Sequence, residues 1–403
     1  MLPVSGPAVA NGAVLIDDAG RIIAAGSDTE VPSPSDCESI AYPGCALIPG
    51  LVNTHTHLEL TGLSGAVDDD DFAGWIRHLM AVKSERSEEA FFDAASRGIE
   101  SCWRQGVTTI CDTGSTGQVI AALAALGASG VAHHEVFGMH PDECAPAMRA
   151  FGLDLNRLAH YATGRVGLGV SPHAPYTVSG ALYRASAELA RAHGVPIAVH
   201  VAEPVDEVSL LRDFTGAFAD MWRARGVARP SAGPVSPVAW LDAHGVLGPD
   251  TLCIHAIQVD DRDVDMLVRK QCAIAHCPRS NTRHHGSRAP VGLFVERGLR
   301  VGLGTDSEVS VAPIDLLAEA REARRITRWT ASQTLRVLTL GGAEAMGLGR
   351  EVGALAPGYW GDVVAMEVRD APDPTEAVLQ CGPDAVRATW LGGRRPLVSQ
   401  AAP

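Results

Sequence analysis

Eight short apolar runs, separated by stretches with the period of amphipathic helices, constrain this chain more than any other feature. Between Pro49 and about residue 345 they read LVNTH, VTTICD, GVAHHEVFG, VGLGVSPHA, VPIAVHVA, TLCIHAI, CAIAHC and RVGLGTD. A run that is apolar at consecutive positions is buried on both faces, as a strand is in a parallel sheet covered by helices. Eight such strands alternating with helices predict an α/β fold, a (β/α)8 TIM barrel rather than an open sheet.

The two ends of the chain have a different texture. Residues 1 to 48 alternate short β-type runs (AVLIDD, RIIAAG, CALIPG) with Gly, Pro, Asn and Asp, and the same style returns after residue 346 in GALAPGYWGDVVAMEV and AVRATWLGGRRPLV. The expectation is one small β-sandwich formed by both termini, residues 1–48 plus 346–403, with the barrel of residues 49–345 inserted between them. Two segments are expected to wall and cover a site: the long connection from Pro204 to Pro249, rich in Pro, Gly and aromatic residues, and DDDDFAGWIRHL at 68–79. Within the latter, the Asp68 to Asp71 run reads first as a solvated acidic turn that caps the following helix.

Composition narrows the partners. A chain of 403 residues, 46% hydrophobic and 20% charged, can bury one large core and a smaller one. Its net charge of −14 would repel a nucleic-acid backbone or an anionic membrane surface, which leaves a small molecule as the expected partner, with a homodimer left open. Nine cysteines occur without a CxxC pair, so neither a disulfide framework nor a cysteine zinc knuckle is indicated. They read as reduced, mostly core residues. Without a basic, apolar leader or a run of roughly 18 apolar residues, the expected location is cytoplasmic.

Polar residues stand at the downstream ends of five of the runs: His55 and His57, His200 and Glu203, His255, His276, and Asp306. His55 and His57 are two apart on one strand, so both face the same side and can share one ion. A single histidine at a strand end is usually a hydrogen-bonded structural residue, but five such positions at one end of a barrel are not explained that way. Asp306 and Glu203, carboxylates at the ends of buried strands, need a cation to offset their desolvation. Three imidazoles and a carboxylate suit a single divalent transition metal, with Glu203 and His255 left to move protons.

Taken in order, HxH after a Pro-Gly turn, HVAE, the sixth-strand histidine, AHCPRSN, GLGTDS and GALAPGYWGDVV resemble the amidohydrolase superfamily, in its nucleoside and heterocycle deaminase branch. The resemblance spans essentially the whole chain. It implies a metal-bearing barrel flanked by a β-sandwich, with His55, His57, His200 and Asp306 as metal ligands. It also implies Glu203 as a proton shuttle that starts protonated, His255 as the residue that orients and polarises the reacting water, and Asp306 as acting with His255 to align it and take its proton. Binuclear members bridge two ions with a carboxylated lysine on strand four. Here that strand, RVGLGVSPHAPY, has none, and the two lysines of the chain, Lys83 and Lys270, fall outside the predicted strands. One ion per chain is expected, zinc first, with Fe(II) or Mn(II) able to use the same ligands.

HTHLELTG, SPHAPYTVS and CPRSN are further similar to the aminodeoxyfutalosine deaminases of the futalosine route to menaquinone, which implies hydrolytic deamination of a 6-aminopurine nucleoside. The same branch includes deaminases of S-adenosylhomocysteine, methylthioadenosine and adenosine. Triazine-type hydrolases share the scaffold, and a metal-free assembly protein is the remote alternative. His173 matches a substrate-contacting position or packs on the barrel rim. Glu59 binds ribose hydroxyls or caps a helix, and Trp75 stacks on an aromatic group or fills the lid. Arg279 pairs with a substrate carboxylate or makes a structural salt bridge. His276 and Asn281 are expected to shape the strand-seven loop, and His284 and His285 to lie on the surface.

Overall fold

The computed structural model describes residues 1–69, 71–229, 235–368 and 372–397. The chain begins with two short strands, β1 (Gly12–Ile16) and β2 (Ile22–Ser27), paired as an antiparallel hairpin, and then β3 (Cys45–Pro49). One residue later the barrel opens with β4 (Leu51–Thr56) and continues through β5 (Val107–Gly114), β6 (Gly130–Val136), β7 (Val166–Pro172), β8 (Ile197–Val201), β9 (Thr251–His255), β10 (Ala273–His276) and β11 (Arg300–Leu303). All seven sequential pairs among these are parallel, in chain order. Each of the eight apolar runs is one of these strands.

The last strand returns to the first. Thr56 and Asp306 form a parallel bridge, and the N–H groups of Thr305 and Asp306 both donate to the His55 carbonyl, at 3.0 and 3.1 Å. Gly304 permits that approach: a Cβ there would lie 2.7 Å from the Cβ of His55. The barrel interior is packed with small and branched side chains, Cys111, Ala198, Leu252, Ile254, Ala273 and Ala275, with Ala345 packed against them. Helices cover the outside. That of Glu88–Arg104, capped by Ser87, turns Phe91, Ile99, Cys102 and Trp103 inward.

The termini meet as expected. β12 (Val363–Glu367) pairs antiparallel with both β3 and β13 (Val386–Trp390), joining the two ends of the sequence in one three-stranded sheet. Ile22, Leu355 and Val363 fill the space between this sheet and the N-terminal hairpin. The connection from 204 to 249 corrects a sequence expectation. Instead of a long irregular loop, it contains three short helices, Val205–Arg212, Ala217–Ala224 and Pro237–Ala243. Residues 230–234 of that connection, and Asp70 of the acidic run, lie outside the described residues. Asp71 caps the helix Phe72–Ser84, accepting from the Gly74 N–H at 2.9 Å. No helix among the described residues is long and apolar enough to cross a membrane.

Candidate active site

Strand alternation turns His55 and His57 of the β4 end inward, where they meet His200 from β8. One ring nitrogen from each of the three lies within 4.8 Å of the others. Asp306, just past β11, places Oδ1 3.7 Å from Nε2 of both His55 and His57. Its own carboxylate is fixed by the Ser280 hydroxyl (2.5 Å) and the Ser307 N–H (2.7 Å). His57 Nδ1 is 3.4 Å from the Thr113 hydroxyl, and His200 Nδ1 is 3.3 Å from the His173 carbonyl, which leaves Nε2 of each ring for the cluster.

His55 is the deciding residue. It is 0% exposed, yet neither of its ring nitrogens has a hydrogen-bond partner. Burial pushes its pKa down to about 4 and that of His200 well below the usual imidazole range, so both are neutral, the form that ligates a metal. Burial alone would raise Asp306, but His55, 3.7 Å away, together with His255 and His57, holds it well below the carboxylate range. An orphaned neutral imidazole beside two others and an ionised carboxylate fits a divalent ion, held by His55, His57, His200 and Asp306.

Across the cluster, Glu203 Oε1 lies 3.6 Å from His255 Nε2 and 3.0 Å from His285 Nε2. Burial would raise this carboxylate, but His255 and His285 hold it at about 2, so it rests ionised, not protonated as the sequence reading starts it. His255 is oriented in turn by Asn281, whose Oδ1 is 2.8 Å from Nδ1. Several of these positions sit in left-handed backbone: Ala202 (φ 52°), His255 (69°), Ala256 (45°) and Asp306 (57°). Non-glycine residues in that region store strain, which is concentrated where the strand ends present functional groups.

A model of the amidohydrolase family matches residues 46–395. The chain belongs to the amidohydrolase family. Among amidohydrolases of named activity, it is 29% identical over 381 residues to a 5-methylthioadenosine/S-adenosylhomocysteine deaminase of Desulfitobacterium hafniense, covering 91% of this chain and 83% of that one. Its fold is shared with a zinc-bound adenosine deaminase from Xanthomonas campestris (TM-score 0.86, 23% identity, 98% of this chain and 91% of that one). It is shared equally with an aminofutalosine deaminase from Helicobacter pylori in complex with methylthio-coformycin (TM-score 0.83, 19% identity, 96% and 95%).

As in a barrel amidohydrolase, the cluster lies at the strands' C-terminal ends, and here it floors a cavity of about 560 Å³. His57, His173, His200, Glu203, His255 and Asp306 all face it. Trp75 is part of its wall, stacked on Phe72 with ring centres 5.8 Å apart. His173 sits 4.9 Å from the His200 ring and is fixed by the Thr177 hydroxyl at 2.7 Å from Nδ1.

For Glu59 a ribose-binding role is corrected, and for Arg279 one of two readings is selected. Glu59 does not face the cavity: it is saturated by Lys83 Nζ (2.6 Å), the Thr116 hydroxyl (2.6 Å) and the Thr116 N–H (3.2 Å), so no acceptor is left for a ribose. Arg279 is likewise committed, to the carbonyls of Pro313 (3.2 Å) and Ala312 (3.3 Å) and to Glu319 (3.6 Å), which is the structural salt bridge of its two readings.

Four residues of the site were missed. His285 and His284 are not surface residues: the helix Pro278–His285 ends over the cavity, with His285 on Glu203 and the His284 ring 4.7 Å from that of Trp75. Lys83 and Glu135 also line the cavity. Glu135 carries the same signal as Asp306, a carboxylate near the end of a buried strand, so the pattern that found one could have found the other.

Proposed function

We propose that the protein is a divalent-metal-dependent hydrolytic deaminase of 6-aminopurine nucleosides, with zinc as the ion and His55, His57, His200 and Asp306 as its ligands. The observation that carries this reading is the Glu203 carboxylate, buried at the cavity face within reach of His255 and His285 and beside an imidazole cluster with orphaned nitrogens. When bound, the ion supplies the Lewis acidity that makes water nucleophilic near neutral pH. Glu203 accepts a proton as that water adds to C6 of the purine and returns it to N1, so the adduct is not left as an anion. A second proton follows to the amine, which departs as ammonia, and the water oxygen ends as the C6 carbonyl. His255, fixed by Asn281, orients the attacking water toward C6.

The finer reading is aminodeoxyfutalosine as substrate, in menaquinone biosynthesis and in the cytoplasm, where free cysteines such as all nine here persist. A bulky carboxylate-bearing 5′ group is matched by the apolar wall of Phe72, Trp75, Leu79, Met80 and Met221. Arg279 is held by the buried Glu319 and by two carbonyls, whereas Arg77 and Arg225 line the same cavity with side chains 67% and 59% exposed and only long contacts, 3.9 Å each, to Asp71 and Glu143, so they are the cations that would meet the carboxylate.

Two measurements test this. Glu203→Gln should retain the metal and lose at least ~10²-fold in kcat, and near-normal turnover would remove the proposed shuttle. Across aminodeoxyfutalosine, methylthioadenosine, S-adenosylhomocysteine and adenosine, kcat/KM should be highest for the first. Equal efficiency on all four would mean that the 5′ group is not read.

A further inference from the structure

The proposed chemistry occupies the C-terminal ends of the barrel strands and leaves a second cavity, at their N-terminal ends, unexplained. This cavity measures about 50 Å³ and is bounded by Pro196 and Pro249, just before β8 and β9, and by residues 345–347. Three side chains with metal-binding atoms line it: Cys111, His133 and Met346. Cys111 Sγ lies 3.6 Å from His133 Nδ1, and Met346 packs against the barrel-interior cluster to which Cys111 belongs. The fold makes room for the imidazole. His133 is in register with Gly169 of β7, where a Cβ would lie 2.2 Å from the ring Cδ2 and 2.7 Å from Nε2. Gly169 is not in left-handed backbone, so this glycine supplies space rather than conformation. His133 is 4% exposed, and its polar contacts among the described residues are long and fall on one nitrogen: Cys111 Sγ, and the Asp112 carbonyl at 3.4 Å from Nδ1.

A buried imidazole with such weak partners is costly unless a ligand supplies a better one. Size narrows that ligand, because an organic molecule needs a pocket of roughly 300 Å³ or more, whereas this one has room for an ion or a few waters. Thiolate, imidazole and thioether together suit a soft ion such as Cu(I), not a hard one that seeks oxygen. Charge selects a monovalent ion. Of the lining side chains that can become anions, Asp250 is exposed and Cys111 alone is buried, so one thiolate neutralises Cu(I) but would leave a divalent ion with an unbalanced buried charge. Burial pushes the His133 pKa down to about 4, which keeps the ring in its ligating, neutral form. With bonds of about 2.3 Å to sulfur and 2.0 Å to nitrogen, as zinc makes, the 3.6 Å separation corresponds to an angle of roughly 115° at the ion, open to a third ligand. We propose that Cys111, His133 and Met346 form a binding site for one Cu(I) ion at the base of the barrel, separate from the imidazole cluster. On binding, the Cys111 S–H bond breaks, its proton leaves to solvent, and its sulfur, the His133 Nδ1 and the Met346 sulfur each give a lone pair to the ion. No electron is transferred, and the site does not depend on which substrate the opposite end takes.

The test uses the zinc-loaded full-length protein, titrated with Cu(I) without oxygen against a chromogenic Cu(I) chelator, as wild type, Cys111→Ala, Met346→Leu and Cys37→Ala. Wild type should hold one Cu(I) per chain in preference to the chelator, with its zinc content unchanged. Losing a partner that only supports a ligand costs a metal site about 10–100-fold, so losing the Cys111 sulfur should weaken binding by at least ~10²-fold. Met346→Leu keeps the side-chain volume and removes the thioether, and should weaken it by about 10-fold. Cys37→Ala removes an exposed thiol and should change nothing. X-ray absorption at the copper edge, on loaded wild type, should show both sulfur and nitrogen ligands, and this reading stands even where a variant fails to fold. The site is overturned if Cys111→Ala or Met346→Leu binds Cu(I) as tightly as wild type, or if binding is lost with Cys37. It is equally overturned if the copper displaces zinc mole for mole, or if its ligands include no sulfur.

Discussion

His285 turns the Glu203 carboxylate from an isolated buried charge into a member of a three-group array. With His285 3.0 Å away and His255 at 3.6 Å, Glu203 is held at about 2 against the upward push of burial. Removing His285 leaves burial less opposed, so the carboxyl pKa rises. His285→Ala should therefore move the acid limb of the kcat/KM profile to higher pH, since a shuttle that must first accept a proton works only when ionised. An unmoved acid limb would show that His285 does not set the Glu203 charge. At this scale the sequence was legible where a side chain stands in a barrel strand or just past its C-terminal end, as for His55, His57, His200 and Asp306. It was not legible for His285, whose place depends on a helix folding back over the cavity from a polar segment, a relation in space with no local pattern.

The turn after β8 positions Glu203, and Glu207 holds that turn. Glu207 is fully buried and accepts from the N–H groups of Ala202 (2.7 Å) and Glu203 (3.1 Å), bracing a residue in left-handed backbone. Burial pushes its pKa up to about 8, although those two N–H groups oppose the rise. A carboxyl whose pKa is raised on folding binds its proton more tightly in the folded state, so its contribution is complete below the unfolded value and is lost as pH climbs through about 8. Each pH unit across that window should cost at most about 1.4 kcal/mol. Glu207→Gln removes the titration while keeping the shape and one of the two acceptors, a loss that is the same at every pH, so urea unfolding at pH 6 and pH 8.5 should differ less for the variant than for wild type. An equal difference in both proteins would exclude Glu207 as the source. Elements with strong periodicity were readable, and all eight barrel strands were. The three helices between Pro204 and Pro249 were not, because short helices owe their stability to tertiary contacts rather than propensity. Phe218 and Trp222 are buried, and the Trp222 indole donates to the Tyr176 carbonyl at 2.9 Å.

For the whole molecule, the union of the two ends of the chain against the barrel was foreseen from their shared texture, but the contact that fastens them was not. Arg165, one residue before β7, makes a two-pronged pair with Asp362, one residue before β12, at 2.8 and 2.5 Å. Asp362 also accepts from the Gly392 N–H at 2.8 Å, and the Trp360 ring lies between Arg165 (4.6 Å) and Arg21 (3.9 Å). Nothing in either segment alone reveals a partner 197 positions away. The pair sits at the end of the barrel opposite the imidazole cluster, so its loss should be felt in stability rather than chemistry. Asp362→Ala strands a mostly buried guanidinium and should cost about 3–5 kcal/mol, while kcat measured well below the transition stays near wild type. Replacing both partners with apolar residues, Arg165→Met with Asp362→Leu, removes the stranded charge and should recover most of that loss. Chemical denaturation of the two variants checks this directly. A double variant as unstable as the single one would mean that the ion pair itself, not the avoidance of an unpaired buried charge, holds the terminal sheet to the barrel.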